Sequence, residues 1–559
     1  MKNPSTDGGR QPPPPSRRTA NYPPSIWDDG FIQSLPDGSL DKTQLDLWEK
    51  LKEDMRHLIH DDKQKDSVEL LELVDNMRRL GVSYHYESEI KNLLRSISSS
   101  LLVSLENKKN MHASALLFRL LREYGFQVQK CADILLNSIK NESWILDTGI
   151  NAATTVKGML SLYEASYIAF ESEHELNEAR EITTKCLSNY LKEPLLINQH
   201  LFEQIDHALD LPLHWSMPRV YTRWYIDAYG RQENMNPKLL QFSNLDFNML
   251  QCLYKKELKE LSRWWRNLGL VGDEFSFARD RLVEIYFWSV GCTFEPQFWR
   301  CRKEITKLGC LLTTIDDIYD VYGSLEELEV FTNDVHEWKI SAILPNFMKK
   351  TLTALFNTLN DIAHIVLVEK DIDILPHLRR VWEYQCKSYL LEAKWYYTGY
   401  TPTLNEYLEN AWLSATCPLL TNSAYFLSEE LTKEALDSLE FYPDVVRYSS
   451  IVARLYDDLG TSTDEVERGD VPKSIQCHMK EANVTEKVAR DHIRYLIARY
   501  WKTLNAEYIA NPNLAESFNR YLLNFPRMAQ CIYQYGDGHG KGDLETRNRI
   551  ISLFIKPVI

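Results

Sequence analysis

The run TTIDDIYDVYG places Asp316, Asp317 and Asp320 close together, and on a helix the i, i+4 pair Asp316 and Asp320 points to one side. Carboxylates about 4 Å apart at an effective dielectric near 20 repel by roughly 4 kcal/mol. A pair set among Ile315, Ile318, Val321 and Tyr322 therefore needs a cation or a proton. An acidic helix face in solvent has the same composition, but the apolar flanks favour a buried metal site. A second set, Asp457, Asp458, Thr461 and Glu465 in RLYDDLGTSTDE, puts positions 457, 461 and 465 on successive turns of one helix face, with Asp458 off it. Taken alone this stretch also reads as a polar helix end. Two carboxylates and a hydroxyl nevertheless form an all-oxygen set of the kind hard Mg²⁺ prefers, often shared with the phosphates of a substrate. Two such clusters on separate helices, facing each other across one cavity, point to a metal and diphosphate site.

Basic residues accompany both clusters. Arg279 and Arg281 flank Asp280 in FARDRLVE, Arg454 precedes Asp457 by one helical turn, and Lys473 follows Glu465 in RGDVPKS. Each alone reads as a surface ion pair; together they are a set of donors for phosphate oxygens. Trp288 in YFWSVG offers an aromatic face to a cation, although core packing is the common fate of such a residue. GDGHGKG, from Gly536 to Gly542, reads as a loop carrying Asp537 and His539 over a site. It lacks the spacing of a nucleotide-binding P-loop.

The elements that must hold these groups are helices. Leu70, Val74, Met77 and Leu80 make an apolar stripe ended by Gly81, and Leu116–Leu121, Met159–Ile168 and Leu250–Leu258 repeat the helical spacing without a fixed repeat period. The fold class is all-α. The polar GRQENMNP, Gly230 to Pro237, is the boundary, with Asn236 capping a helix that starts at Pro237. This gives an arm (1–40), an N-terminal helical domain (41–230) and a C-terminal domain (237–559) that holds nearly all the chemistry. The net charge of −15 argues against nucleic acid or an anionic membrane as partner. Ten scattered cysteines with no CxxC suit a reducing compartment. No membrane span and no secretory signal are expected. Met1 to Ser16 reads as a short, untargeted and mostly disordered lead-in, so the expected location is cytoplasmic.

In order along the chain, Arg17, Arg18 and Trp27 (RRx8W), RDR at 279–281, DDIYD at 316–320 and DDLGTSTDE at 457–465 resemble the plant class I terpene synthases, in particular the angiosperm group of mono- and sesquiterpene cyclases. The likeness covers nearly the whole chain. It implies two helical domains with the active site in the C-terminal bundle and an N-terminal domain like that of class II cyclases, here without their DxDD. It further implies three Mg²⁺ ions, with Mn²⁺ as a substitute, on Asp316, Asp320, Asp457, Thr461 and Glu465, with Asp317 also counted among the metal-binding residues and helping to shape the first cluster. Arg279, Arg281, Arg454 and Lys473 would then hold the diphosphate of a prenyl substrate, and Trp288, Asp537 and His539 would face it. The arm would cap the closed site. The implied reaction is loss of diphosphate to an allylic carbocation that becomes a cyclic or acyclic terpene. A chain-elongating prenyltransferase typically carries a second DDxxD where this chain has Asp457, Thr461 and Glu465, and a noncatalytic helical scaffold gives no reason for the clusters.

Substrate length sets two signals against each other. The RRx8W arm resembles ten-carbon, plastid enzymes that use geranyl diphosphate. The short lead-in, and the small residues Gly309 and Ala453 where isoprene-forming relatives carry bulky Phe, favour a deep pocket and fifteen-carbon farnesyl diphosphate in the cytoplasm. The sequence expectation is farnesyl diphosphate, with geranyl diphosphate in a plastid as the alternative.

Overall fold

A computed structural model describes residues 17–559 except 39, 61–65, 109, 141–151, 194–196, 429–430, 434–435, 437–441 and 512–515. The expectation for Met1 to Ser16 lies outside the described residues. Every regular element among the described residues is helical, with no strand. The N-terminal helices are α1 (Asp29–Ser34), α2 (Lys42–His60), α3 (Ser67–Arg79), α4 (Glu87–Lys108), α5 (Met111–Glu123), α6 (Gln129–Lys140), α7 (Ala152–Ser166), α8 (His174–Lys192), α9 (Gln199–Asp210) and α10 (Pro218–Gly230). Then follow α11 (Pro237–Leu268), α12 (Leu282–Cys292), α13 (Trp299–Asp317), α14 (Leu325–Glu337), α15 (Asn346–Lys370), α16 (Leu375–Thr398), α17 (Leu404–Ser414), α18 (Cys417–Phe426), α19 (Asp444–Arg468), α20 (Ser474–Ala482), α21 (Glu486–Ala510), α22 (Glu516–Tyr533) and α23 (Leu544–Phe554).

The apolar stripes explain this arrangement. Leu70, Val74, Met77 and Leu80 are all buried, and the chain leaves α3 through Gly81 in the left-handed conformation. Asn236 caps α11 by accepting from the backbone N–H groups of Lys238 and Leu239, with Pro237 in the first turn. The Met159–Ile168 pattern overshoots its helix, since α7 ends at Ser166. Buried residues from both halves, from Trp27 and Leu70 to Leu522 and Phe554, belong to one contiguous core, and a smaller cluster around Val156, Tyr163 and Ile205 serves the N-terminal helices. One helix, α15, is long and apolar enough by composition to cross a bilayer, but Met348, Leu352, Leu355 and Leu359 on it are buried in the bundle.

Within the C-terminal bundle, α12, α13, α16, α19 and α22 surround a cavity, and the junction of α17 and α18 completes the wall. At that junction Thr416 takes a left-handed backbone at φ 63°, so the two helices break beside the cavity instead of running on.

Candidate active site

Helix α13 ends in the first acidic cluster. Beyond Asp317 the backbone widens into a π turn through Ile318–Tyr322, closed by the Gly323 N–H donating to the Ile318 carbonyl at 2.8 Å. Asp316 and Asp320 both face the cavity across this turn. Asp317 does not: it is fully buried, accepts the Arg279 backbone N–H at 2.7 Å and forms an ion pair with the Arg279 guanidinium, whose Nε lies 2.9 Å from its other oxygen. Its expected place among the metal ligands is therefore corrected. It clamps Arg279, whose Nη2 reaches Asp316 at 2.5 Å.

The second cluster lies on α19. Asp457, Thr461 and Glu465 face the same cavity. The Thr461 hydroxyl donates to the Asp457 carbonyl at 3.0 Å, which leaves its oxygen lone pairs free to accept. Arg454 Nη1 pairs with Asp457 at 2.6 Å. Asp458 points away, accepting from the Tyr407 hydroxyl at 2.9 Å and the Ser474 N–H at 3.2 Å, in line with the helical register. Lys473, buried between the clusters, has its Nζ 3.9 Å from Glu392.

The electrostatics of this mouth are set by burial. Burial, joined by the nearby charge of Asp316, holds Asp320 well above the ordinary carboxylate range. Burial also pushes Asp457 up to about 6 and Glu465 up to about 7. Lys473 would be lowered by burial alone, but Glu465, Glu392 and Asp320 hold it well above its usual value. Among the described residues no three carboxylates already converge on one point, and Glu465 Oε2 is buried without a hydrogen-bond partner. A set of desolvated oxygens with raised proton affinity and an orphaned lone pair fits divalent cations, which would replace the protons. Arg454 Nε is likewise buried and unspent, as a group awaiting an anion would be.

Below the mouth the walls turn apolar. Ile285, Trp288, Ile305, Leu312, Leu420, Tyr521, Phe525 and Tyr533 line it. Trp288 is in the cavity as expected, its ring 5.3 Å from Phe525 and 6.3 Å from Tyr533. Gly309 also lines it, but its recess is already filled: an added Cβ would stand 2.6 Å from Ile285 Cγ2. The extra depth expected from Gly309 is thus occupied by a neighbour, while Ala453 does border open space.

Arm and loop close the top. Arg17 holds Glu327 with two N–H groups, at 2.7 and 2.8 Å, and Trp27 Nε1 donates to Glu284 at 3.0 Å. Asp537 and His539 both line the cavity; Asp537 accepts the Gly540 N–H at 2.6 Å, and His539 is kept neutral by burial and by Arg279 and Arg281. Gly538 permits this tight turn, since a Cβ there would lie 2.4 Å from the Ile532 carbonyl. Arg281 corrects the expectation made for it: it is spent on the carbonyls of His539, Gly540 and Pro23 and so ties loop to arm instead of facing the cavity.

Tyr22, Arg468 and Glu392 are among the lining residues that escaped the sequence reading. Tyr22, within the arm motif, lies 4.9 Å from the Arg279 guanidinium and 5.7 Å from that of Arg468. Arg468, one turn beyond Glu465, extends the basic set and was legible from that spacing. Glu392, buried on α16 and bonded by Ser414 and Asn410, carried no signal beyond a carboxylate in an apolar stretch.

Residues 26–209 match the terpene synthase N-terminal domain, and residues 266–503 match the metal binding domain of the terpene synthase family. Terpene synthase 10 of Ricinus communis is 46% identical over 551 residues, 97% of this chain and 98% of that protein. The chloroplastic myrcene synthase of Quercus ilex is 46% identical over 546 residues, 97% and 90% of the two chains. In three dimensions the chain is similar to limonene synthase with 2-fluorolinalyl diphosphate, at TM-score 0.89 and 39% identity, covering 97% of this chain and 100% of that one. It is also similar to grey poplar (Populus x canescens) isoprene synthase in complex with three Mg²⁺ ions and dimethylallyl-S-thiolodiphosphate, at TM-score 0.84 and 38% identity, covering 96% and 99%. With both domains matched and relatives this similar over its full length, the chain belongs to the terpene synthases, carbon-oxygen lyases acting on phosphates.

Proposed function

We propose that this enzyme ionises geranyl diphosphate and releases a ten-carbon terpene and free diphosphate. One observation carries the reading: a single cavity with oxygen donors and unspent cationic donors at its mouth and an aromatic, aliphatic interior below. The sequence favoured farnesyl diphosphate. Two findings support the shorter substrate instead: relatives named for myrcene and limonene, both ten-carbon terpenes, and Ile285 filling the recess at Gly309. The compartment moves with the substrate, to the plastid in place of the cytoplasm, as the Quercus ilex relative is chloroplastic.

Asp316, Asp320, Asp457, Thr461 and Glu465 would hold Mg²⁺, three ions as in the poplar complex, which when bound supply positive charge that stabilises the departing diphosphate. Arg279, Arg454, Lys473 and Arg468 donate N–H groups to its oxygens, and Asp317 keeps Arg279 in place. The allylic C–O bond breaks with its electron pair going to the diphosphate, leaving a carbocation against the face of Trp288. Tyr22 from the arm and Asp537 and His539 from the loop exclude water that would trap the cation. The diphosphate itself takes the final proton. We place the domain boundary in the 231–236 connection, which the Asn236 cap supports.

The test is competition between equal concentrations of geranyl and farnesyl diphosphate with Mg²⁺. Ten-carbon products should dominate; predominantly fifteen-carbon products would return the assignment to farnesyl diphosphate.

A further inference from the structure

A second polar cavity, of about 100 Å³, lies between the N-terminal and C-terminal helices, outside the reaction chamber. A single water needs only roughly 10–15 Å³ by the same measure. Its lining carries four guanidiniums, Arg78, Arg122, Arg520 and Arg527, against three carboxylates, Glu87, Glu123 and Glu516.

Those carboxylates are already engaged. Glu87 pairs with Arg520, Glu123 is shared by Arg78 and Arg119, and Glu516 pairs with Lys91. Arg122 is held by Glu173 from outside the cavity. Arg527 is different. It is 6% exposed, yet among the described residues every group it hydrogen-bonds is neutral: its Nε donates to the His214 carbonyl at 2.6 Å, Nη1 to Asn524 Oδ1 at 2.9 Å and Nη2 to His214 Nδ1 at 3.2 Å. Accepting at Nδ1 leaves the His214 proton on Nε2, where it is given to Asn505 Oδ1 at 2.8 Å. His214 is thereby fixed as a neutral acceptor and cannot cancel the charge. Burial lowers both Arg527 and Arg78 to about 10, and Arg119 and Arg527 add to the effect at Arg78. A buried cation without a counter-ion is costly, and the space beside this one is open.

We propose that this interdomain cavity is a binding site for a small phosphate-type oxyanion, held between Arg527 and Arg78. Free phosphate and the diphosphate released by the reaction share the required chemistry. The site bears on the reaction chamber, because α22 presents Arg520 and Arg527 to this cavity and Tyr521 and Phe525 to the other.

The test is calorimetric titration of the full-length, Mg²⁺-free protein with inorganic phosphate and, separately, with diphosphate. Wild type should bind, and Arg494→Gln, an exposed residue that lines neither cavity, should bind equally. Arg527→Gln should bind at least about tenfold more weakly. The anion whose affinity falls further in Arg527→Gln identifies the physiological source, since diphosphate also meets the cationic donors of the reaction chamber. If Arg527→Gln does not fold, Arg78→Gln provides the same comparison, and crystals of the wild type soaked in selenate should show an anomalous peak between the two guanidiniums. Undiminished binding in the Arg527 and Arg78 variants, or an empty cavity after soaking, overturns the proposal.

Discussion

Arg18 donates through Nη1 to the main-chain oxygen of Asp320, 3.1 Å away and 302 residues further along the chain. The π turn after Asp317 makes that contact necessary, since it disrupts the i to i+4 ladder where a cavity-facing carboxylate is presented. Arg17 does the same for the Tyr322 carbonyl at 2.9 Å, and Arg18 also reaches Asp470 at 2.9 Å. The arm is thus a brace for the acidic cluster as well as a cover. Arg18→Gln should lower kcat by about tenfold and raise the Mg²⁺ concentration needed for half-maximal rate, with little change in Tm. Steady-state kinetics over a Mg²⁺ series checks this; an unchanged Mg²⁺ requirement leaves the arm a cover only.

Glu465 and Asp458 sit on the same helix and should behave oppositely. Glu465→Gln removes a cavity oxygen with no other bond to lose, so turnover should collapse while the fold stays intact. Asp458→Asn disturbs buried bonds from Tyr407 and Ser474, costing about 1–3 kcal/mol of stability while metal dependence persists. Thermal melts and Mg²⁺ titrations of both variants separate the two effects. The reverse pattern would mean that the two residues have exchanged roles.

Gly309→Ala places a methyl against Ile285 Cγ2 and should cost about 1–3 kcal/mol by overpacking while shifting the product spectrum, because Ile285 lines the chamber. Adding Ile285→Val does not relieve the clash, since valine keeps that methyl; adding Ile285→Ala should restore much of the stability. Chromatography of products with melts of the single and double variants is the check. An unaltered Gly309→Ala enzyme would show that the two helices separate freely.

Acidification should weaken metal binding. With Asp457 raised to about 6 and Glu465 to about 7, the metal-free protein retains protons that the unfolded chain has lost, so these groups oppose folding increasingly as pH climbs through that range. At about pH 8, metal-free wild type should therefore melt below Glu465→Gln, and the gap should narrow below about pH 7 and close only below about pH 4.5, where the unfolded carboxylate also holds its proton. The Tm gained from Mg²⁺ by wild type should shrink over the same interval, as protons compete for the ligand oxygens. A Mg²⁺ gain independent of pH would contradict the assigned ligands.

What the sequence disclosed followed the reach of local spacing. Helical periodicity placed the Leu70–Leu80 stripe and the Asn236 cap, and successive turns put Asp457, Thr461 and Glu465 on one face with Asp458 off it. Contacts between distant segments were not legible. Whether Arg281 met a phosphate or three carbonyls depended on where the 536–542 loop and the arm come to rest. Asp317 looked equivalent to its neighbours until the packing of Arg279 placed it behind them. Gly309 read as empty volume because only the fold brings Ile285 against it.

Metal-dependent ionisation of a prenyl diphosphate in this one cavity is read out by measuring diphosphate and terpene released from geranyl diphosphate in the same reaction. Equal molar amounts of the two are expected with Mg²⁺, neither after chelation, and neither from folded Asp320→Asn. Terpene formation that persists without divalent metal or in that variant, or diphosphate release accompanied by lengthened prenyl chains, would contradict it.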